Sequence, residues 1–205
     1  MTGLRERKKQ ATREALRAAA LRLAVERGPD QVRIEDIAEA AGVSPRTYNN
    51  YFASREQAIV AAVTGDREAR VAAAVAVRPA EVRLADAVTE AVIEQYTNSG
   101  EQDREALLLI TTRPPLRDAY LDATATIEPP LTSVIAERLG DAGGPTARVL
   151  AASAAAAVRI ALEGWLQPSG TSGLVAVSGS LPDQLRAALA PLAPAFDAAE
   201  QRVQP

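Results

Sequence analysis

The sequence predicts an all-helical fold, and three features predict it. Alanine, leucine, glutamate and arginine dominate. Apolar residues recur every three to four positions. Gly and Pro gather between those runs, while segments that alternate polar with β-branched or aromatic residues are nearly absent. At 205 residues the chain suffices for one sizeable domain, or for a small domain packed on a larger one.

The elements follow in order. Over 5–26, Ala11, Ala15, Leu16, Ala19, Leu23 and Ala24 keep a helical spacing and turn Arg13, Arg17 and Arg27 to other faces. Gly28, Pro29 and Asp30 end that helix. In VRIEDIAEAAGVS, Ile34, Ile37, Ala38 and Ala41 mark one face of a short helix that Gly42 stops, and Val43 is the buried elbow after it. Ser44 is placed to cap a third, very short helix over 45–51, with Pro45 at its first position, where a missing N–H is harmless. Ser54-Arg55-Glu56-Gln57 matches the S-x-x-Q capping box and opens a long helix to about residue 77. Further helices are expected at 81–98, 102–112, 116–126, 129–139, 146–167 and 182–199. The pair Pro129-Pro130 either divides or kinks the stretch 116–139, and Pro191 and Pro194 raise the same question in the last helix. GDAGGP and PSGTSGLVAVSGSLP read as linkers.

Composition removes whole classes of chemistry. With no cysteine and no histidine, the chain cannot build a disulfide, a thiolate site, a typical zinc site, or a Ser-His or Cys-His pair. We expect neither an enzyme nor a cofactor. The loop Gly140-Asp141-Ala142-Gly143-Gly144 lacks the preceding strand and the following Lys-Ser/Thr that a phosphate loop needs, so it reads as a helix stop. No segment approaches the roughly 20 uninterrupted apolar residues of a bilayer span, and MTGLRERKKQATRE has charge without an apolar core behind it. The expectation is a cytoplasmic protein.

Net charge is −3, but it is unevenly spread. Residues 1–56 hold 11 Lys and Arg against 8 Asp and Glu; residues 57–205 hold 12 against 18. Both lysines, Lys8 and Lys9, stand beside Arg5 and Arg7. A basic end on an acidic body is the electrostatic footprint of a protein whose one end meets nucleic acid.

The same end holds the scarcest side chains. SPRTYNNYF, 44–52, contains three of the seven aromatics and two of the three asparagines of the chain. Two short helices joined at a glycine, AEAAGVSPRT, with a helix in front and a capped helix behind, make a helix-turn-helix whose second helix enters the major groove. The segment 31–59, QVRIEDIAEAAGVSPRTYNNYFASREQAI, resembles the DNA-binding signature of the tetracycline-repressor (TetR) family. The resemblance rests on Ile37-Ala38, the run Ala41-Gly42-Val43-Ser44, Thr47, Phe52, and Ser54 with a basic neighbour.

That resemblance implies nine or ten helices: a DNA-binding head over 1–56 and a ligand-binding and dimerisation body over 57–205. Tyr48 and Phe52, four apart, read as core. Pro45, Arg46, Thr47, Asn49, Asn50 and Tyr51 lie at positions that face DNA in the family. Arginine can present two donors to guanine O6 and N7 and asparagine can pair with adenine, whereas a tyrosine hydroxyl suits one phosphate oxygen. Arg46 and Thr47 are therefore expected on bases, Asn50 as a further base contact, and Asn49 and Tyr51 on phosphates. Arg55, where the family usually has lysine, is expected on a phosphate beside the N-terminus of its helix. Arg33 stands where family members commonly have threonine or serine; it keeps a phosphate contact and loses the oxygen cap. Asn49 stands where the family usually has an aromatic. Arg5, Arg7, Lys8 and Lys9 form an arm that enters the adjacent minor groove or follows the backbone.

The resemblance also implies a ligand-responsive repressor that binds a palindromic operator as a homodimer and is released by a small-molecule inducer. The dimer is expected through helices near 146–167 and 182–199. Candidate ligand-lining residues are Ile93, Tyr96, Leu109, Ile110, Leu116, Tyr120 and Trp165, for an apolar or acyl-type molecule. A helical adaptor that binds protein and never touches DNA is the alternative.

Overall fold

The computed structural model describes residues 2–97, 109–110, 112–140, 144–166, 168–169, 174–175 and 179–202. They form two compact units. One comprises 1–65 with 113–120, the other 66–112 with 121–205.

In the first unit α1 (Thr2–Arg27) is followed by a 3-10 turn (Pro29–Gln31), α2 (Ile34–Ala40), α3 (Pro45–Asn49) and α4 (Arg55–Thr64). α1 packs against α4 and α2, and α2 against α3. Leu16, Ala19, Ala20, Leu23 and Ala24 from α1 are buried, together with Val32, Ile37, Ala38, Tyr48, Phe52, Ala58 and Ile59. Two alanines expected on that face, Ala11 and Ala15, are exposed, because the core begins at Leu16. Arg17, expected on another face, is 4% exposed and pairs with Glu14.

The first compact unit runs to Gly65 and includes α4, which packs on α1. Gly65 corrects the expected single helix over 55–77. Its φ of 59° and ψ of −140° are open to glycine and strained for other residues, so the chain turns there and a separate α5 (Arg67–Ala76) begins.

The second unit continues with α6 (Leu84–Thr97). The expected helix over 102–112 lies mostly outside the described residues. α7 (Pro114–Asp122) passes through a 3-10 segment (Ala123–Ile127) into α8 (Glu128–Arg138). The backbone stays helical at Asp122, Ile127 and Glu128, so 116–139 is one helical path with a tightened middle. Pro129 and Pro130 are tolerated because they sit in the first turn of α8, where an N–H has no helical partner. α9 (Pro145–Trp165) packs against α8 and α10 (Leu181–Leu189). A 3-10 turn (Ala190–Leu192) then separates α10 from α11 (Ala193–Gln201), with Pro191 and Pro194 again at starts. The expected count of nine or ten helices is not reproduced, since glycine and proline cut the described chain at different places. The longest expected linker carries one two-residue antiparallel ladder, Pro168–Ser169 with Leu174–Val175.

The C-terminal helix closes the start of α6. The Leu84 N–H donates to the Glu200 carboxylate at 2.9 Å, Arg83 grips Asp197, and Arg138 Nη2 donates to the Val82 carbonyl at 2.6 Å. α9 has the length and the mean hydropathy, 1.3, of a membrane span, yet half of that apolar window is buried within the fold.

Candidate nucleic-acid interface

α3 is short because its two ends are fixed by different means. At the start, Ser44 Oγ accepts from the Thr47 N–H at 3.1 Å, and the Thr47 hydroxyl lies 2.9 Å from the same oxygen. Gly42, at φ 69°, makes the preceding turn. At the far end the buried Tyr48 hydroxyl donates to the Ser54 carbonyl at 2.7 Å, tying α3 to the entrance of α4. Tyr48 and Phe52 pack with ring centroids 5.8 Å apart and planes tilted by 47°, and the Arg13 guanidinium lies 5.9 Å from the Phe52 ring centre. Burial, with the Glu56 charge adding to it, pushes the Tyr48 phenol well above its ordinary value.

With Tyr48 and Phe52 inward, the remaining side chains of α3 and of the turn that follows it are divided between two outer sides. Thr47, Asn50 and Tyr51 line a cleft of about 1050 Å³, whose other wall is Arg5, Glu6, Lys8, Lys9 and Thr12 of α1. Pro45, Arg46 and Asn49 are exposed and are not among its lining residues. Sequence reasoning missed Thr12. It lies four residues after Lys8 and donates its hydroxyl to the Lys8 carbonyl at 3.0 Å, a spacing that continuing the α1 periodicity toward the N-terminus reveals. The segment expected as an arm, including Arg5, Arg7, Lys8 and Lys9, is the first part of α1.

Arg33 is exposed at the N-cap of α2 in extended backbone. A guanidinium has no acceptor, so it cannot cap; the Asp36 carboxylate instead accepts from the Arg33 N–H at 3.3 Å. Arg55 is turned toward the chain. Its Nη1 donates to the carbonyls of Asp30 (3.0 Å) and Val32 (2.9 Å), and its Nε to Glu56 at 2.7 Å. These bonds hold the turn before α2 against the first turn of α4, so Nε and Nη1 are engaged by the protein and are not turned outward. Partial burial would raise the Glu56 carboxyl, but hydrogen bonding from Arg55 and from the Ser54 hydroxyl, with the Arg55 charge, leaves it below its ordinary value. The capping box is also shifted: Ser54 Oγ accepts from the Gln57 N–H at 3.1 Å, while Gln57 Oε1 accepts from Ala53, not Ser54, at 2.7 Å.

The seven expected ligand-lining residues do not gather in one unit. Ile93 and Tyr96 are buried on α6, and the Arg67 guanidinium lies 4.5 Å from the Tyr96 ring centre. Ile110 is buried; Leu109 and Trp165 are half-buried. Leu116 and Tyr120 are buried as well, but in the segment 113–120 that folds with the first unit. There Arg113 pairs with Asp30, a link across 83 residues that sequence spacing gives no sign of. Among the described residues no group of three or more acidic side chains is placed to hold a metal ion.

Two family models match the chain. Residues 16–62 match the bacterial regulatory proteins, tetR family, and residues 82–197 the MftR C-terminal domain. The HTH-type transcriptional regulator TcmR of Streptomyces glaucescens is 33% identical over 147 residues, which are 67% of this chain and 65% of that protein. The match thus spans just under two thirds of that relative's length. Among solved structures, Thermus thermophilus FadR, a TetR family transcriptional repressor in complex with lauroyl-CoA, superposes with a TM-score of 0.50 at 22% identity, over 88% of this chain and 92% of that one. At that identity the likeness concerns the fold.

Proposed function

The chain belongs to the TetR family of bacterial regulatory proteins, and we propose that it is a cytoplasmic transcriptional repressor that binds a palindromic operator as a homodimer and is released by a small-molecule inducer. The observation that carries this reading is the meeting of α3 with a cationic wall: Thr47, Asn50 and Tyr51 face Arg5, Lys8 and Lys9 across one cleft, while Arg46 and Asn49 project freely beside it. Positive charge binds the backbone, and donors on a helix face read base edges. On this geometry Arg46 and Asn49 are the base-reading candidates, and Pro45 is exposed beside them. Arg33 is a candidate for a flanking phosphate, and any part for Arg55 falls to its Nη2.

Dimerisation is assigned to α9, with α10 and α11 beside it. Val149, Ser153, Ala156 and Ile160 repeat at intervals of four, three and four, which places them on one face. Val149 and Ile160 are 61% and 63% exposed in the single chain. The inducer is assigned to the second unit, around Ile93, Tyr96, Leu109, Ile110 and Trp165. These linings suit an apolar or acyl-type molecule.

Selection of bound sites from random duplex DNA tests the reading. Enrichment of a two-fold symmetric site is expected, and Arg46→Ala should cost about 1–3 kcal/mol on it and relax preference at one base pair. Failure of the purified protein to bind any duplex at low salt would leave the helical-adaptor reading in its place.

A further inference from the structure

Lysine is nearly absent from this chain. Of 23 lysines and arginines, Lys8 and Lys9 are the two lysines and the rest are arginines, while cysteine and histidine do not occur. A guanidinium stays protonated and is inert toward acylation. A lysine amine, like a thiol or an imidazole, attacks activated carbonyls. The strongly nucleophilic side chains of the whole chain are therefore two neighbours near the start of α1. Both are exposed, in a segment, 3–11, with no buried residue; the first is Leu16. Both also line the cleft bordered by Thr47, Asn50 and Tyr51, on a wall where Lys8, Lys9 and Arg5 stand against one carboxylate, Glu6. Such a wall concentrates small anions as well as DNA. Acyl phosphates and coenzyme A thioesters are both anions that carry an activated acyl group.

We infer that Lys8 and Lys9 are acyl-acceptor sites for anionic acyl donors, and that their acylation switches off the DNA-binding head. This rests on the DNA-binding reading and adds a covalent control to it. In the step, the deprotonated Nζ adds to the acyl carbonyl and a C–N bond forms. The C–S or C–O bond to the leaving group breaks, and the proton lost from nitrogen passes to the departing thiolate or phosphate. The product is a neutral amide, so each event removes one cation from the cleft. The fold loses nothing, because neither side chain has a core beneath it. Arginine at either position would supply the same charge and be immune. A duplex seated in the cleft shields both amines, so the modification falls on unbound molecules and keeps them off DNA.

The test incubates the full chain with acetyl phosphate, with acetyl coenzyme A and with the uncharged N-hydroxysuccinimidyl acetate, beside free acetyl-lysine amide, and maps the products by peptide mass spectrometry. The anionic donors should acylate Lys8 and Lys9 several-fold faster than the free amine, with an advantage that salt removes and that the uncharged ester lacks. Acylation by one anionic donor alone supports the site and names its source. Rates no faster than the free amine with both would overturn it, leaving two ordinary surface lysines. Affinity for a duplex, read by fluorescence anisotropy over a range of salt, should then fall, and the dependence of log K on log salt should flatten by about one for each lysine acylated. An unchanged slope overturns the switch. The chain carrying Lys8→Arg and Lys9→Arg has no acceptor there, so treatment should not move it from its own starting affinity. A loss in that variant would place the effective modification elsewhere and overturn the proposal too. If the untreated chain binds no duplex at low salt, the DNA-binding reading has failed, and the map of acylated residues still shows whether Lys8 and Lys9 are the acceptors.

Discussion

α3 and α9 are built on opposite principles. α3 has five residues, and two of them carry specific side-chain or capping contacts: Thr47 with Ser44, and Tyr48 with both Phe52 and the Ser54 carbonyl. α9 has twenty-one residues, and most of those it buries are alanines, Ala147, Ala151, Ala154, Ala155, Ala157 and Ala161 among them. Order in α3 depends on individual bonds, whereas order in α9 depends on shared surface. Substitutions should separate the two.

The largest effect is expected where α3 concentrates its contacts. Tyr48→Ala removes a fully buried ring and its hydroxyl, and should cost about 3–5 kcal/mol in urea unfolding. Within α9, Ala155→Gly should cost only about 1 kcal/mol, the difference in helix propensity. Comparable losses at the two sites would break the contrast.

Next is the exposed side of α9. Ile160→Asp alters a side chain that is 63% exposed, so the single chain should fold as before. A charge in the centre of an interface should cost about 2 kcal/mol or more in association, enough to turn the light-scattering mass from dimer toward monomer at micromolar concentration. A dimer of undiminished stability would move the interface elsewhere.

Smaller again is the cap of α3. Ser44→Ala removes the acceptor for the Thr47 N–H and should cost about 1 kcal/mol. It also releases the Thr47 hydroxyl, so DNA affinity and stability should change independently. Parallel loss in both would mean that the hydroxyl pair matters only for folding.

The same contrast explains what could be read from sequence. Ser44, Pro45, Gly42 and the Tyr48-Phe52 spacing act within a few residues, so local rules recovered the cap of α3 and its inward aromatics. Gly65 was visible but ambiguous, because a glycine inside a helical period is often tolerated and only its backbone angles show a break. The α1 spacing puts Arg17 on an outer face and the family resemblance puts Arg55 on a phosphate, yet Arg17 is buried and Arg55 Nη1 is held by the Asp30 and Val32 carbonyls. In the body, alanine-rich periodicity fits many packings equally well. Neither the Arg113–Asp30 pair nor the placement of 113–120 with the first unit follows from any local pattern. The outer sides of α3 were also beyond reach, since separating Thr47, Asn50 and Tyr51 from Arg46 and Asn49 requires knowing where α1 lies.

The smallest effect concerns the join between α3 and α4. The Glu56 carboxyl is held below its usual value of 4.5 in the folded chain, the Arg55 hydrogen bond and charge outweighing its partial burial. A depressed carboxyl contributes stability that is fully present above the unfolded-state value and is lost as pH falls through the folded-state value. The loss therefore begins below about pH 4.5 and is complete only at more acid pH. As Glu56 neutralises, Arg55 keeps its bonds to the Asp30 and Val32 carbonyls, so the turn before α2 loosens without opening. Because the pair is partly exposed and screened by water, the change should be a fraction of a kcal/mol. Urea unfolding of wild type and Glu56→Gln, near neutral pH and at about pH 3, checks the sign: the variant should be less stable only at neutral pH, and the two chains should converge in acid. A gap that persists in acid would mean that Glu56 acts through packing and not through its charge.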